Sequence, residues 1–544
     1  MFFSLFTLWF IRETKAILFW LYLWQLKEYH IGRFLDHFQT EKGRQLLLNK
    51  LVFLKIFLLL LSLALSYDNW PIQVDYLIDL LLLSLIFILF GLYFLESFKV
   101  FKDFLEKTIK KPVWTKKSLF LTSISLIPVI ALFLVLLFGN IDTFSAMLAF
   151  DILTPAIVSV IVLFFQPFAV LGRNQIIKKA SEKRAQFQNL LVIGITGSYG
   201  KTSTKEFLAT ILSERFKVLK TAEHQNSEVG ISQCILNDLK PEHEIFICEM
   251  GAYNRGGIKL LCDIAKPKIG ILTGINEQHM AIFGSQKNIV KGKYELIESL
   301  PEDGLAIFNG DNEYCFELYK RTLIKKRVYG LQSSISGLPL DILAYNVRTE
   351  KDFITFRVAL RDELADFKVN LMGFQNISNV LAVVICAREL GMTLEEISKA
   401  CVDIKPQQSG MQLKKGIDGL NIIDATYSAN PDGVLSHLEY LKIWPQKKVI
   451  VMPCLIELGS ASIGIHQRIG DKISQVCDLV IITTKERFKE IKEGAVAKEM
   501  KTENILFVEN PKEILEKIRG FAQPGDVVLL ESRVSKELIK LLSD

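Results

Sequence analysis

The sequence predicts a multidomain protein: an N-terminal α-helical transmembrane region over 1–186, an α/β P-loop-type central domain over 187–407, and a C-terminal α/β Rossmann-like domain over 408–544. Three observations carry this reading. Long apolar runs crowd the first third of the chain; a glycine-rich loop follows directly on an apolar, strand-like run; and the last part alternates strand-like with helical patterns. At 544 residues the chain exceeds what one compact core organises.

Four stretches, Leu51–Ser66, Tyr76–Leu95, Ser118–Phe138 and Ala146–Val170, are long enough, or nearly so, to cross a bilayer. A fifth, Phe2–Trp24, is interrupted by Arg12, Glu13 and Lys15, and reads either as a span or as an interfacial helix. Because hydrophobic spans continue beyond it, a secretory signal peptide is not expected. Lysines fill the loop from Lys99 to Lys117, and Lys27, Arg33, Lys42, Arg44 and Lys50 precede the first clear span. The connections around Asp68, Asp75 and Asp142 carry no Lys or Arg. This alternation predicts a multi-pass protein of the cell (inner) membrane, with both basic loops and everything after Arg173 in the cytoplasm. Asp79 and Asp151 lie inside predicted spans, where each is either functional or a carboxylate reaching the interface.

A formal charge of +6 is modest for the length and gives no case for nucleic acid. The eight cysteines form no CxxC pair, which suits a reducing compartment and suggests neither zinc ribbon nor disulfide framework.

The stretch GITGSYGKTSTKEF joins an apolar strand to a helix. Gly197, Ser198, Gly200, Lys201, Thr202 and Ser203 make a phosphate cradle there, because backbone N–H groups at a helix start attract anions. Lys201 is placed to reach β and γ phosphates, and Thr202 to hold Mg²⁺. Ile195 stands where the common spacing has glycine, so the loop is a variant, G-x-x-G-x-x-G-K-T. Downstream, a buried strand over Ile245–Cys248 ends at Glu249, where a carboxylate can reach a metal. A strand over Ile269–Thr273, the stretch INEQHMAIFGS with His279, KGKYEL with Lys293, and LAIFNGDN with Asn309 and Asp311 follow in order.

This series, with KTAEHQNSEVGIS, CEMGAYNRGGI, GFQNISNVLA, IIDATYSANPDG, IELG and ESR, resembles the Mur ligases, ATP-dependent amide-forming enzymes of peptidoglycan precursor synthesis. It is most similar to the branch that adds D-alanyl-D-alanine to a UDP-linked muramoyl tripeptide, and it covers roughly 187–544. The resemblance implies that ATP phosphorylates a carboxylate and that an amine then displaces phosphate. It assigns Thr202, Glu249, His279 and Lys293 to Mg²⁺, with Lys293 carbamoylated, and makes Lys201, Glu249, His279 and Lys293 the catalytic set. Asn376, Asn379 and Asn309 are implied at the adenine, and Thr221, Asn226, Glu228, Tyr427 and Asn430 at the substrates.

Gln375 replaces the family's histidine, Met411 its arginine, and Ala425 its ribose-contacting aspartate, for which Asp424 or Arg533 is the expected substitute. Membrane segments stand where the family has a UDP-binding domain. Three functions therefore stay open: a membrane-tethered ligase acting on the UDP-linked precursor, a ligase acting on a lipid-linked muropeptide, and a non-catalytic ATP-binding scaffold for wall synthesis. A muramoyl peptide, D-alanyl-D-alanine or a similar amine, and membrane lipid are the expected partners. Strand-like runs at Val449–Met452, Leu479–Ile482, Ile505–Val508 and Val527–Leu530 predict a largely parallel C-terminal sheet, joined to the centre by the hinge-like VDIKPQQSG.

Overall fold

The computed structural model describes residues 2–38, 40–65, 75–138, 142–331, 340–360, 363–427 and 429–543. The chain forms two compact units, Met1–Gly172 and Arg173–Asp544, so the first border falls earlier than residue 186 and inside a continuous helix.

The first unit is helical: α1 (Phe2–Leu26), two short helices at Ile31–His37 and Glu41–Leu47, α2 (Lys50–Leu65), α3 (Asp75–Leu105), α4 (Lys116–Phe138) and the start of α5 (Thr143–Ala185). Among the described residues, four segments are long and apolar enough to cross a membrane: Gly43–Leu65, Leu80–Leu105, Lys116–Phe138 and Thr143–Ala185. Each overlaps one of the four stretches expected from sequence, with bounds that differ by up to fifteen residues. The connection around Asp68 and the side chain of Asp79 lie outside the described residues.

Helix α1 is a full member of the bundle. Its Leu5, Trp9, Ile17, Leu21 and Trp24 are buried with Leu85, Leu89 and Tyr93 of α3, Val129 of α4 and Leu148 of α5. Of the charges that interrupt its apolar run, Lys15 pairs with the part-exposed Asp103 at 2.6 Å, and Arg12 and Glu13 turn inward and are neutralised there. Arg12 pairs with Glu13 and Asp151, and lies 3.5 Å from Glu96. Lys55 of α2 sits 2.6 Å from both Glu96 and Asp151, and Thr154 donates to Glu13 at 2.7 Å. Asp151 is thus an interior ion-pair partner, not a carboxylate reaching the interface. Asp151→Ala removes one of the two carboxylates that Arg12 and Lys55 share, leaving Glu96 to both and Glu13 to Arg12, and is expected to destabilise this unit by about 1–3 kcal/mol, read as a lower denaturation midpoint in detergent.

The second unit holds two sheets. Among the described residues the larger has nine strands, in the order β2-β3-β1-β4-β5-β6-β7-β8-β9. These are β1 (Leu191–Thr196), β2 (Val218–Lys220), β3 (Ile245–Glu249), β4 (Ile269–Leu272), β5 (Leu305–Asn309), β6 (Lys326–Leu331), β7 (Ile342–Thr349), β8 (Ile354–Leu360) and β9 (Glu363–Val369). Pairing is parallel from β2 through β7, and the central strands β1, β3, β4 and β5 are apolar runs covered on both faces. Strands β7–β9 pair antiparallel, and their alternating burial fits a sheet with one face in water.

The smaller sheet runs β10-β11-β15-β12-β13-β14. Its strands are β10 (Gln412–Lys415), β11 (Asn421–Ala425), β12 (Lys448–Met452), β13 (Leu479–Ile482), β14 (Ile505–Phe507) and β15 (Val527–Glu531). Among the described residues only the edge pair β10–β11 is antiparallel, so the expected largely parallel sheet is present. Between the sheets, residues 401–409 form two 3₁₀ turns that end at Gly410, whose φ of +76° suits glycine.

Candidate functional site

The parallel strands β1, β3 and β4 end on one edge of the larger sheet, and the expected residues leave those ends. Parallel sheets offer ligands a crevice at such an edge. After β1 the chain turns through Gly197 (φ +157°) and Gly200 (φ +76°) into helix α6 (Lys201–Leu212). Both glycines are required by space as well as torsion. A Cβ on Gly197 would lie 2.1 Å from Thr273 Oγ1, and one on Gly200 would lie 2.4 Å from Asn379 Oδ1. Gly200→Ala is therefore expected to displace the loop and weaken nucleotide binding at least ~10-fold, measured by titration with a fluorescent ATP analogue.

The Lys201 ammonium donates to the carbonyls of Gly197 at 2.7 Å and Ser198 at 3.3 Å, which curls it over the loop. Burial lowers its pKa, partly offset by Glu249. Ser198 accepts from the backbone of Asn276 at 3.1 Å, and Ser203 sits in the first turn of α6. Glu249, 4% exposed, accepts from Asn226 Nδ2 at 3.0 Å and is hydrogen-bonded to Thr202. Burial alone would raise its pKa, but Lys201, Lys205, Asn226 and Thr202 together hold it below the usual carboxylate range, so it is an anion at neutral pH.

His279 has a left-handed backbone (φ +65°), and its Nδ1 lies 2.6 Å from Glu457 Oε2. Burial, with Lys293 and Lys201 nearby, lowers its pKa despite that carboxylate. Lys293 lies in helix α8 (Gln286–Glu298), 3% exposed, with Nζ 3.5 Å from the Ala252 carbonyl. Burial first, then the Lys201 cation, pushes it down to about 7. Lys201 thus acts electrostatically on Glu249, His279 and Lys293, and the four residues share one site.

The other expected residues divide. Asn226 reaches Glu249, and Tyr427, hydrogen-bonded to Thr202, packs 6.2 Å from the His224 ring. Thr221 is fully buried and its hydroxyl accepts the backbone N–H of Glu249, so it shapes the strand end rather than facing an acceptor. Glu228 opens helix α7 (Glu228–Asp238), 3.4 Å from Arg173. Asn430 caps helix α10 (Pro431–Leu441), accepting from Gly433.

The asparagines expected at adenine are also bonded internally. In helix α9 (Gln375–Glu389), Asn376 donates to Met372 O at 2.8 Å and accepts from Asn379, while Asn309 donates to Thr273 O at 2.8 Å. Next to the first turn of α9, a groove is lined by Phe374, Asp432, Leu435 and Arg468. Met411 and Ala425 belong to the core of the smaller sheet. Asp424 is paired with Lys414 at 2.6 Å, and Arg533 is exposed.

Four residues with no assigned role in the sequence reading border the site. Lys205, fully buried, stands 3.4 Å from Glu249 Oε2; its position one turn beyond Lys201, among Leu208 and Ile211, marks the inner face of α6. Asn276 donates to Asp432 at 2.9 Å, and Glu457 meets His279, so the part of the chain with the smaller sheet docks against the mouth of the loop. No sequence period brings such partners together.

Among the described residues no three His, Cys, Asp or Glu side chains gather as a metal cage. Mg²⁺ asks for none: it keeps waters and is held by one or two carboxylates plus substrate phosphates. Glu249 and Thr202, hydrogen-bonded beside the loop, fit that need.

The sequence matches the Mur ligase middle domain over 195–387 and the Mur ligase glutamate ligase domain over 411–533. It is 31% identical over 356 residues to a UDP-N-acetylmuramoyl-tripeptide–D-alanyl-D-alanine ligase of Synechocystis, spanning 65% of this chain and 74% of that one. The ligase of the same name from Bacillus subtilis is 28% identical over 356 residues, spanning 65% and 75%. The MurF ligase of Thermotoga maritima in complex with ADP superposes with a TM-score of 0.59 at 26% identity, covering 68% of this chain and 83% of that one. With both domains matched and the P-loop, Glu249, His279 and Lys293 gathered at one sheet edge, the chain belongs to the Mur ligase family.

Proposed function

We propose that this chain is an ATP-dependent acid–amino-acid ligase of peptidoglycan precursor synthesis, joining D-alanyl-D-alanine to the carboxylate of a muramoyl tripeptide and releasing ADP and phosphate. The observation that carries this reading is the gathering of Lys201, Glu249, His279 and Lys293 at one strand edge, under Tyr427 and Glu457 from the other sheet. The named relatives support the choice of substrates.

ATP supplies the leaving group that a carboxylate lacks, because its γ-phosphoryl group turns the acceptor oxygen into phosphate. The chain's own residues do the rest. The N–H groups of the glycine turn and the start of α6 bind phosphate oxygens, and Lys201 leaves its loop carbonyls to neutralise charge in the transfer. Thr202 and Glu249 would hold Mg²⁺, joined by His279 and by Lys293 as its carbamate. A lysine held near 7 has the neutral amine that attacks carbon dioxide, and the product is an anion suited to a metal. Docking of the smaller sheet's part excludes water while the activated acyl group exists.

The four apolar helices support a place at the cell membrane, with the ligase domains on the cytoplasmic side. They also favour a second reading, in which the acceptor is the lipid-linked muropeptide that a bilayer anchor concentrates. Met411 and Ala425 fill a core and leave the phosphate and metal residues untouched, which speaks against a scaffold without activity.

The test is phosphate release by the detergent-purified full chain with ATP, Mg²⁺ and D-alanyl-D-alanine, offering UDP-linked or lipid-linked tripeptide. Release with the UDP-linked acceptor supports the first reading, release only with the lipid-linked one supports the second, and silence with both refutes ligation of these substrates.

A further inference from the structure

We infer that Glu457 is a positioning residue for His279, through which docking of the smaller sheet's part completes the metal site. The inference rests on the proposed metal role of His279.

Glu457 belongs to the turn after β12, and His279 to the loop after β4. They lie 178 residues apart in sequence, yet Nδ1 and Oε2 are 2.6 Å apart. An ionised carboxylate only accepts, so Nδ1 carries the proton and Nε2, on the far edge of the ring, keeps its lone pair. A carboxylate behind a histidine fixes both tautomer and ring orientation for a metal. The Tyr253 ring, edge-on at 5.0 Å, braces the imidazole.

The surrounding backbone holds this pair in place. His279 (φ +65°) and Glu457 (φ +64°) both occupy the left-handed region, which costs a non-glycine residue energy and persists only where neighbours enforce it. The Glu457 carbonyl accepts from Ala281 N at 3.1 Å, so Glu457 holds the segment after β4 twice, by its backbone at Ala281 and by its side chain at His279. Gly459 (φ +53°) approaches so closely that a Cβ there would lie 3.2 Å from the same Ala281 nitrogen. His466, fully buried, accepts from Leu455 N at 3.0 Å and contacts the Ser462 carbonyl through Nδ1 at 2.6 Å, pinning the turn to helix α11 (Ser462–Ser474). The turn is thus built to deliver one carboxylate to one imidazole, and the docked state alone supplies it.

The experiment is Mn²⁺ binding followed by electron paramagnetic resonance, on the full chain in detergent with a non-hydrolysable ATP analogue. Variants are Glu457→Ala, Glu457→Gln, His279→Ala and the Ala/Ala double variant. The Ala281–Glu457 bond is made by backbone and survives these changes, and Glu457→Gln keeps an acceptor oxygen for Nδ1–H if the alanine variant folds poorly. Glu457→Ala is expected to weaken Mn²⁺ binding about 10- to 100-fold, with Glu457→Gln recovering most of it. The double variant is expected to bind no more weakly than His279→Ala, because the two residues act as one unit. Normal Mn²⁺ binding by Glu457→Ala beside weak binding by His279→Ala would overturn the inference and leave the metal role of His279 intact. Normal binding by His279→Ala would remove that metal role, and the inference with it.

Discussion

Replacing Lys201 with alanine is expected to lower ATP turnover by ~10³-fold or more while leaving the fold as stable as before. In the structure its ammonium is desolvated and satisfied only by the carbonyls of its own loop, at 2.7 and 3.3 Å. Folding gains little from a half-buried cation held only by its own loop, so the melting temperature should stay level or rise. Catalysis loses more than one contact. Lys201 is the largest attractive influence holding Glu249 ionised, and it is the cation that adds to burial in depressing Lys293. The alanine variant should therefore show weaker phosphate binding and a weaker response to Mg²⁺ together, measured by ATP-analogue titration at several Mg²⁺ concentrations. A parallel loss of stability would mean that the lysine is structural.

The second large effect concerns Lys293. Its amine is buried, and together with the Lys201 cation this pushes its pKa down to about 7. For a base with a depressed pKa the neutral form gains as pH rises through that value and is lost below it. Only the neutral amine adds to carbon dioxide, losing one proton as the carbamate forms. Activity should accordingly climb between about pH 6 and 8, and should fall in buffer stripped of carbon dioxide and return when bicarbonate is added. Lys293→Arg keeps a cation but forms no carbamate, so it should lose on the order of 100-fold in activity and all response to bicarbonate. An arginine variant as active as the natural chain would sink the carbamate reading.

Lys293 takes its role from the family resemblance alone, whereas Lys201 is legible in sequence because its signal is local. A strand, two glycines and Gly-Lys-Thr in series specify a turn by torsion alone, and the structure has that turn at φ +157° and +76°. Glu249 was legible because an unbroken apolar strand, IFICE, ends on it. Thr221, Asn376 and Asn430 are expected at ligands, and each also bonds inside the fold, at a strand end, a helix start and a cap; a polar residue in a motif looks the same in either role. The charges of α1 left two readings open because hydropathy along one helix cannot show that Glu96, Lys55 and Asp151 arrive from three others. Glu457 and Lys205 gain meaning only from partners far away in the chain or across a helix turn. Strands β7–β9 are half-exposed, and nothing in their alternation says that they extend a parallel sheet.

The central claim is that ATP activates a carboxylate on this chain. Its most direct test uses muramoyl tripeptide labelled with ¹⁸O in the acceptor carboxylate, incubated with the full chain, ATP, Mg²⁺ and D-alanyl-D-alanine, with the released phosphate analysed by mass spectrometry. One ¹⁸O per phosphate, together with the pentapeptide, is the predicted result. Phosphate released without label would mean that water, not the carboxylate, receives the phosphoryl group, and would contradict the account.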